Sequence, residues 1–343
     1  MALFTKSIRW PFLVVLLYGG GLFAQSKPTA PVFEVSTTKF LLGTQVDIIA
    51  LGKSVQAAKK ACYFAFREME RIENTLSSHR ADSEIGKLNA SAAQRPVRVS
   101  AETFAILQRA LDYSRQFHGL FDISIGSISV LWGFNEDGDI RLPGPDTLQQ
   151  KLALVDYRQI RLNPADTTVR FLKPGMRVDL GGIAKGYAID RAAAMLRQHG
   201  IRQFLINAGG DIYASGLKAD GRKWRIGIKH PRQLSELLAT FELTDFAVAT
   251  SGDYERYAII DDKRYHHILD PRTGYPATDY RSVTVLAPSA EAADVWATYL
   301  FILGWPQYKK LQPSPVLALF VDHSGTVYYD LAWKQKYGLQ LVE

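Results

Sequence analysis

The sequence has only one cysteine, Cys62, in 343 residues, and this scarcity limits how the chain can be stabilised. A single cysteine cannot form an internal disulfide, so the fold must depend on its hydrophobic core. Cys62 also lies well inside the chain, which excludes it as the lipid-bearing cysteine of a lipoprotein. Hydrophobic residues make up 47% of the sequence, which is ample for one large domain or two smaller ones.

Long hydrophobic runs are absent except near the beginning of the chain. Residues 1–24 carry Lys6 and Arg9 and then an apolar stretch that ends in LFA, a pattern typical of a secretory signal peptide. Three glycines interrupt this stretch and it is short for a membrane span, although an uncleaved anchor is the alternative. We therefore expect an exported protein in which residues 25–35 form a short tether and residues 36–343 form one domain.

A dense basic patch is also absent. Without residues 1–24 the chain loses two basic and no acidic residues, so 41 Lys and Arg against 34 Asp and Glu become 39 against 34, a net charge of +5. The remaining basic residues are scattered along the chain. We therefore predict no nucleic-acid partner, and the small positive excess is compatible with solubility or with an anionic ligand.

Hydrophobic periodicity predicts helices and strands that are segregated along the chain rather than strictly alternating. Apolar residues recur at helical spacing in 55–76, and a further helix is predicted for 289–303. Residues 224–269 contain short strand patterns separated by turns, as in an antiparallel sheet. The polar stretch 77–98 predicts a loop, and 121–134 is ambiguous between helix and strand. The predicted fold class is α+β, not a doubly wound parallel sheet.

The segment 178–216 combines two turns rich in glycine and aspartate with one amphipathic helix. The glycines of GGIAKG (181–186) stand at the entry to this helix, where backbone amides can approach a phosphate closely, and Lys185 adds a positive charge. Asp179 supplies a carboxylate that phosphate alone would not favour, so the ligand would also bring a metal ion or a hydrogen-bond donor. Glycines at helix entries are also common in caps and tight turns, and the segment matches neither a P-loop nor GxGxxG.

Two oxygen-bearing residues, Asp294 and Thr298, are four apart in the last predicted helix and share one face of it. Hard oxygen ligands in such a row suit Mg²⁺. Taken alone, the pair is more simply explained as a carboxylate that favours the helix dipole and an ordinary threonine. The segment 249–276 is more polar than core strands require, so function or surface position must explain it, and its Asp270 is expected to cap a turn.

Taken in order along the chain, these segments resemble the ApbE family of FAD:protein FMN transferases, exported enzymes that move FMN from FAD onto a Thr or Ser of a partner protein. The matching stretches are LGTQVDI (42–48), SEIGKLN (83–89), FDISIG (121–126), LWGF (131–134), DLGGIAKGYAID (179–190), NAGGDI (207–212), TSGDY (250–254), HILDPRTGYP (267–276) and ADVWATYLFILG (293–304). Such a series in register is far more specific than any single motif. The resemblance implies a single ApbE-like, T-fold-like domain with antiparallel sheets and segregated helices.

The resemblance also implies which residues form the site. Mg²⁺ would be held by the backbone carbonyl of Gly182 and by the side chains of Asp294 and Thr298. The residues that match FAD contacts of the family are Leu42, Gly43, Thr44, His79, Phe121, Asp122, Asp179, Lys185 and Leu269. The chain departs from the family's pattern at Leu42, where Met is usual, and at His79, where Tyr or Trp is usual, although an imidazole can still stack on a ring.

By the same resemblance, FAD is the substrate, and FMN passes to an acceptor flavoprotein with release of AMP. The acceptor is expected to be an exported or membrane-bound electron-transfer subunit, so the enzyme would be periplasmic or bound to the outer face of the inner membrane. His267 is the candidate general base because imidazole titrates near neutral pH; a core histidine and a hydrogen bond to the ligand are the alternatives.

Two other functions would use much of the same site. A Mg²⁺-dependent FAD pyrophosphatase would give free FMN and AMP, with water in place of the acceptor hydroxyl. A non-catalytic flavin carrier would keep the glycine and aromatic contacts, but it would have little use for the spaced Asp294 and Thr298. An interaction protein without a ligand would leave the polar residues within apolar strands unexplained.

Overall fold

The computed structural model describes residues 32–134, 140–233, 235–311 and 314–342. The predicted signal peptide, residues 1–24, lies outside these ranges, as does most of the predicted tether. The described part of the chain forms one compact unit. Within it, no helix has both the length and the apolar character that are needed to cross a membrane.

The described residues form sixteen β-strands and nine α-helices. The strands are β1 (Phe33–Leu41), β2 (Thr44–Gly52), β3 (Val97–Arg98), β4 (Ile160–Asn163), β5 (Thr168–Phe171), β6 (Gln203–Ala208), β7 (Asp211–Ser215), β8 (Trp224–Lys229), β9 (Leu237–Leu243), β10 (Phe246–Gly252), β11 (Tyr257–Ile260), β12 (Lys263–His266), β13 (Tyr280–Ala287), β14 (Leu317–Asp322), β15 (Val327–Tyr329) and β16 (Gln340–Leu341). The helices are α1 (Val55–Leu76), α2 (Glu84–Ser91), α3 (Ala101–Gln116), α4 (Gly126–Trp132), α5 (Pro145–Leu152), α6 (Ala184–Gln198), α7 (Ala290–Leu303), α8 (Trp305–Leu311) and α9 (Leu331–Tyr337).

One eight-stranded sheet organises the fold, in the order β1-β2-β6-β7-β10-β13-β14-β15, and every neighbouring pair in it is antiparallel. The strands β16-β9-β8 and β3-β5-β4 form two smaller sheets, and β11 and β12 form a separate hairpin. These pairs are antiparallel as well. Antiparallel sheets with segregated helices confirm the predicted α+β class.

The helices α1, α6 and α7 cover one face of the large sheet and build the main core. The apolar stripe of α1 is buried as its spacing predicts, and its members are Ala58, Cys62, Ala65, Met69 and Ile72. On the other face, the sheet β16-β9-β8 and α9 close a second core around Trp333. Because α7 is buried on most of its sides, the side chain of Asp294 lies inside the protein.

Helices form in two stretches for which the sequence predicts either a loop or no definite secondary structure. Residues 77–98 were predicted as a loop, but Ser83 accepts the amide of Gly86 at 2.7 Å and so caps α2, after which the chain enters β3. This correction follows from a capping serine that the sequence does contain. Residues 121–134 form a short 3₁₀ turn that leads into α4.

The predicted start of the domain needs correction. The tether was placed at residues 25–35, but β1 already begins at Phe33, which pairs with Gly52 in the β1–β2 ladder. After the hairpin of β14 and β15, α9 places Trp333 in the second core and β16 pairs with β9.

Candidate functional site

The turn that precedes α6 is shaped by one carboxylate. Oδ1 of Asp179 accepts the amide of Gly181 at 2.8 Å, and Oδ2 accepts the hydroxyl of Ser129 at 3.3 Å. The amide of Asp179 donates to the carbonyl of Ile123 at 2.8 Å. These bonds hold the turn against α4 and the 3₁₀ turn before it, so the start of α6 has a fixed position.

Gly182 brings this turn into contact with α7. A Cβ added at Gly182 would lie 3.3 Å from Oγ1 of Thr298 and 3.1 Å from Cε2 of Phe121. One turn before Thr298 on α7, Oδ2 of Asp294 accepts the amide of Gly186 at 2.9 Å. The hydroxyl of Thr298 donates to the carbonyl of Asp294 at 3.3 Å, as expected for residues four apart. The fold therefore brings together the three residues that are predicted to bind Mg²⁺.

Gly186 has a different role from the one that the sequence suggested. A Cβ at this position would lie 2.2 Å from the carbonyl oxygen of Ala290, so α7 fills the space beside it. Its amide, assigned from the sequence to a phosphate, donates instead to Asp294. Glycine is required here because two helices pack closely, and the predicted phosphate contact at this residue is wrong.

Lys185, Asp211 and Asp294 form a buried charge cluster. Nζ of Lys185 lies 2.8 Å from Oδ2 of Asp211, whose side chain is 3% exposed. Burial raises the pKa of Asp294 above its usual range, the charge of Asp211 raises it further, and the charge of Lys185 opposes both. Burial alone would lower the pKa of Lys185, but the two carboxylates outweigh it and the pKa is raised. Lys185 therefore stays protonated, and its charge is shared with Asp211.

The β1–β2 turn and the NAGG turn meet beside this cluster. Leu42 and Gly43 form the two-residue turn with φ of +57° and +70°, and the amide of Leu42 donates to Oε1 of Glu73 at 2.9 Å. A Cβ at Gly209 would lie 2.5 Å from Oγ1 of Thr44, so the two turns are in direct contact. The first hairpin is thereby joined to the charge cluster, since β7 begins immediately after the NAGG turn.

A groove of about 610 Å³ opens beside the turn that precedes α6. Its walls include Glu73, His79, Ser129, Arg177 and Asp179. His79 is exposed on this wall. Asp179 lines the groove and belongs to the same turn that contacts α7 through Gly182. The groove and the α6–α7 contact are therefore adjacent.

Two adjacent histidines, His266 and His267, lie at the end of β12 and differ in how many of their ring nitrogens are hydrogen-bonded. Nε2 of His266 lies 2.7 Å from the carbonyl oxygen of Ala277, and its Nδ1 accepts the amide of Ile268, so both nitrogens are used. Nδ1 of His267 lies 3.4 Å from the carbonyl oxygen of Arg256. A carbonyl can only accept, so Nδ1 carries the proton and Nε2 keeps its lone pair.

The environment of His267 keeps its imidazole neutral. Burial lowers the pKa of His267 to about 3, and the charges of His266, Arg256 and Lys185 lower it as well. The contribution of Lys185 places His267 within electrostatic reach of the charge cluster. Nε2 is therefore unprotonated and able to accept a proton, but this lowered pKa makes the imidazole a weaker base than the near-neutral pKa expected from the sequence would imply.

Two residues that were predicted to contact FAD are engaged within the protein. Oδ1 of Asp122 accepts the amide and the hydroxyl of Ser124, and Oδ2 accepts the amide of Tyr157 at 2.9 Å. Burial raises the pKa of Asp122, and its carboxyl fixes the local fold. The side chain of Leu269 lies in an apolar cluster with residues of α4 and α5. Asp270 caps the PRTG turn by accepting the amide two residues on, as predicted.

Sequence reasoning missed two residues of the site. Asp211 was seen only as part of a glycine-rich turn, yet it is the partner of Lys185 and it shifts the pKa of Asp294. Its place in NAGGDI was a signal that pointed to it. Ser129 binds Asp179, but it lies in a stretch whose secondary structure was ambiguous, so no sequence signal placed it there.

The donor atoms at the α6–α7 contact fit Mg²⁺. In the described part of the chain, no three His, Cys, Asp or Glu side chains group closely enough to hold a metal ion by themselves. The site offers instead the Asp294 carboxylate, the Thr298 hydroxyl and the backbone at Gly182. Mg²⁺ uses one or two carboxylates and completes its shell with water and substrate phosphate. A cation here would also favour the ionised form of a carboxyl that burial disfavours.

Together, the fold and this site define an α+β protein in which a glycine-rich turn packs against a buried helix that carries Asp294 and Thr298. The chain belongs to the ApbE family, whose profile matches residues 42–320. It is similar to the FAD:protein FMN transferase of Treponema pallidum (strain Nichols), with 36% identity over 292 residues that cover 80% of each chain.

Solved structures of the family share the fold. The ApbE protein of Thermotoga maritima MSB8 has a TM-score of 0.83 at 32% identity and is matched over 99% of its length and 88% of this chain. The flavin transferase ApbE of Vibrio cholerae has a TM-score of 0.77 at 30% identity, over 99% of its length and 89% of this chain. These findings confirm the predicted family and fold, and the expectation that the protein is a transferase.

Proposed function

We propose that this chain is a Mg²⁺-dependent FAD:protein FMN transferase that moves FMN from FAD onto a Thr or Ser hydroxyl of an acceptor flavoprotein. The product would be a phosphoester, and AMP would be released. The observation that carries this proposal is the meeting of Gly182, Asp294 and Thr298 at the α6–α7 contact. Membership of the ApbE family and the names of its relatives support the substrate and the reaction.

Asp294, Thr298 and the carbonyl of Gly182 would hold the metal ion. When bound, Mg²⁺ neutralises negative charge on the pyrophosphate of FAD as the anhydride bond breaks. Most amides at the start of α6 are already bonded, that of Ala184 to the carbonyl of Leu180 and that of Gly186 to Asp294. The amides of Gly182 and Lys185 would therefore be left for the remaining phosphate oxygens, which the partial positive charge of a helix N-terminus favours. Lys185 adds positive charge nearby, although it is shared with Asp211.

His267 is the proposed general base. In the transfer, the acceptor hydroxyl oxygen forms a bond to the phosphorus of the FMN moiety, the anhydride P–O bond breaks, and AMP leaves with the bridging oxygen. The hydroxyl proton passes to Nε2 of His267, whose Nδ1–H faces the carbonyl of Arg256. The lowered pKa of His267 leaves Nε2 unprotonated at neutral pH and makes it a weaker base than an ordinary imidazole.

We also propose that the enzyme is exported and acts in the periplasm or on the outer face of the inner membrane, on an electron-transfer subunit there. The support is the composition of residues 1–24, where two basic residues precede an apolar stretch. A reporter that is active only after export, fused behind the chain, tests this. Activity of that reporter is expected, and a silent, cytoplasmic fusion would reject the localisation.

One assay separates the three functions that use this site. The protein is incubated with FAD, Mg²⁺ and a flavoprotein acceptor fragment, and flavin fluorescence that survives denaturing electrophoresis reports a covalent bond. We expect a label that disappears when EDTA replaces Mg²⁺ and when the acceptor threonine is replaced by valine. FMN and AMP without any label would indicate a FAD pyrophosphatase. Unchanged FAD after long incubation would indicate a carrier.

A further inference from the structure

The contact between the α6 segment and α7 has three steps. Gly182 lies against Thr298, Gly186 lies against Asp294, and Asp190 lies against the first turn of α7. The residue numbers rise by four on one side and fall by four on the other, so the two segments run antiparallel. Each step is one helical turn, or about 6 Å along the axis.

Asp190 makes the third step with both oxygens of its carboxylate. Oδ1 accepts the amide of Ala290 and Oδ2 accepts the amide of Glu291, each at 2.9 Å. These are the first two amides of α7, and they have no acceptor inside that helix. Oγ of Ser289 accepts the amide of Ala292 at 3.2 Å, which caps the same turn from within the segment. Two parallel bonds to one carboxylate fix the position of α7 along the axis of α6 and its rotation about its own axis.

We propose that Asp190 is a positioning residue for the metal site, which sets the register of α7 on α6 and so places Asp294 and Thr298 opposite Gly182. The inference rests on the proposed function, because it presupposes that Mg²⁺ binds at the first step. Asp190 itself stands two steps, or about 12 Å, from that step and does not touch the ion. The middle step cannot set the register alone, since Gly186 contributes one amide and no side chain.

A second anchor, at the other end of α7, provides a matched control. The hydroxyl of Tyr280 on β13 accepts the amide of Trp305 at 2.8 Å, two residues beyond the last residue of α7. This bond holds the end of α7 against the sheet and does not involve α6. Its loss should lower the stability of the protein and leave Mg²⁺ binding unchanged.

The test compares Asp190→Asn with Tyr280→Phe in the intact protein. Mg²⁺ is titrated in the presence of ADP, which carries a pyrophosphate but no FMN. The first readout is the rise in Tm with Mg²⁺, and the second is the Mg²⁺ dependence of the transfer rate. We expect the half-saturating Mg²⁺ concentration to rise at least about tenfold in Asp190→Asn, because the asparagine NH₂ faces an amide donor. Saturating Mg²⁺ should restore most of kcat.

The same titration gives the result for the control and the results that would reject the positioning role of Asp190. Tyr280→Phe should show a lower Tm with a half-saturating concentration within about twofold of the wild type, the spread expected where no metal-ligand support is lost. An unchanged half-saturating concentration in Asp190→Asn would overturn the inference, and so would an equal rise in Tyr280→Phe, since that would reflect stability alone.

Ala290→Pro is a second variant in case Asp190→Asn does not fold. It keeps the Asp190 carboxylate and removes one of its two donors, and proline is tolerated at the first position of a helix. The same rise in half-saturating Mg²⁺ is expected. A third variant, Asp294→Asn, separates a failure of the proposed metal site from a failure of the positioning role. If Mg²⁺ dependence persists in Asp294→Asn, the proposed metal site is wrong; if it is lost there while Asp190→Asn and Ala290→Pro bind Mg²⁺ normally, only the positioning role is wrong.

Discussion

The amide of Gly186 donates a 2.9 Å hydrogen bond to Oδ2 of Asp294 across 108 residues of sequence. This bond joins the glycine-rich segment to the buried helix that carries the proposed metal ligands. It also orients the Asp294 carboxylate, since one of its two oxygens is held by α6. The other oxygen is then in a defined position relative to Thr298, one turn along the same helix face.

Gly186→Ala should disrupt this contact. The new Cβ would lie 2.2 Å from the carbonyl oxygen of Ala290, which is backbone and cannot move aside without shifting α7. We expect a loss of at least about 1–3 kcal/mol in the free energy of unfolding, measured with urea, together with loss of transfer activity. Gly144→Ser is the control, since a Cβ there meets nothing within 4 Å and serine is a good N-cap for α5. Equal behaviour of the two variants would contradict the packing role.

The parts of the site that were predictable are those that a local pattern encodes. The apolar spacing of 55–76 gave α1 and its buried stripe, and the four-residue spacing of Asp294 and Thr298 gave their shared face. Each of these predictions needs only the geometry of one element.

The parts that could not be predicted depend on partners that are distant in sequence. Gly186 in GGIAKG looks like a phosphate-binding glycine until α7 is placed beside it. Asp122 looks available to a ligand, but its oxygens bind Ser124 and Tyr157. The charge of Lys185 looks free until β7 brings Asp211 within 2.8 Å. In each case the tertiary contact decides the role of a residue whose local pattern fits two roles.

Asp294→Asn should abolish Mg²⁺-dependent transfer while the protein stays folded. Asparagine has the same shape and its carbonyl oxygen can still accept the Gly186 amide, so the α6–α7 contact is kept. The charge that would bind the cation is lost, and we expect the rate to fall at least about 100-fold. Covalent labelling of the acceptor measures the rate, and circular dichroism checks the fold. Full activity with a normal Mg²⁺ response would remove Asp294 from the metal site.

The same variant should alter how stability depends on pH. Burial, and next the charge of Asp211, raise the pKa of Asp294 above its ordinary value of 3.8, so the folded protein keeps this proton to higher pH than the unfolded chain. The folded state then binds more protons above about pH 4, and the contribution of Asp294 to the free energy of unfolding falls as the pH rises. With EDTA present, Asp294→Asn should gain stability relative to the wild type between about pH 4 and neutrality. A difference that stays flat over this interval would contradict the raised pKa.

Lys185→Met should destabilise the protein because it leaves the buried Asp211 carboxylate without its partner. The side chain of Asp211 is 3% exposed and that of Lys185 is 30% exposed, so we expect a loss of about 2 kcal/mol, below the range for a fully buried pair. Adding Asp211→Asn should recover part of this loss. Lys223→Met, at an exposed lysine, is the control and should change stability by less than about 0.5 kcal/mol. If Lys185→Met weakened only FAD binding, the lysine would serve the phosphate and not Asp211.

His267→Gln should slow transfer by about 100-fold or more without a large loss of stability, because it removes the proposed base and leaves the backbone contacts of the hairpin in place. His266→Leu should do the reverse. It leaves the carbonyl of Ala277 and the amide of Ile268 unpaired, which costs about 1–3 kcal/mol, while the rate per folded molecule changes less.

The pH dependence of the wild-type rate gives the sharper test of His267. Its pKa is lowered from 6.5 to about 3, chiefly by burial, so its imidazole is already neutral at pH 5 and gains nothing as the pH rises to 8. In the wild type, the profile of kcat/KM should therefore show no acid limb near pH 6.5 that is due to titration of His267. His267→Gln should accordingly remove no such limb. If such a limb were present in the wild type and absent in the variant, His267 would titrate as an exposed imidazole, and its buried, neutral state would be wrong.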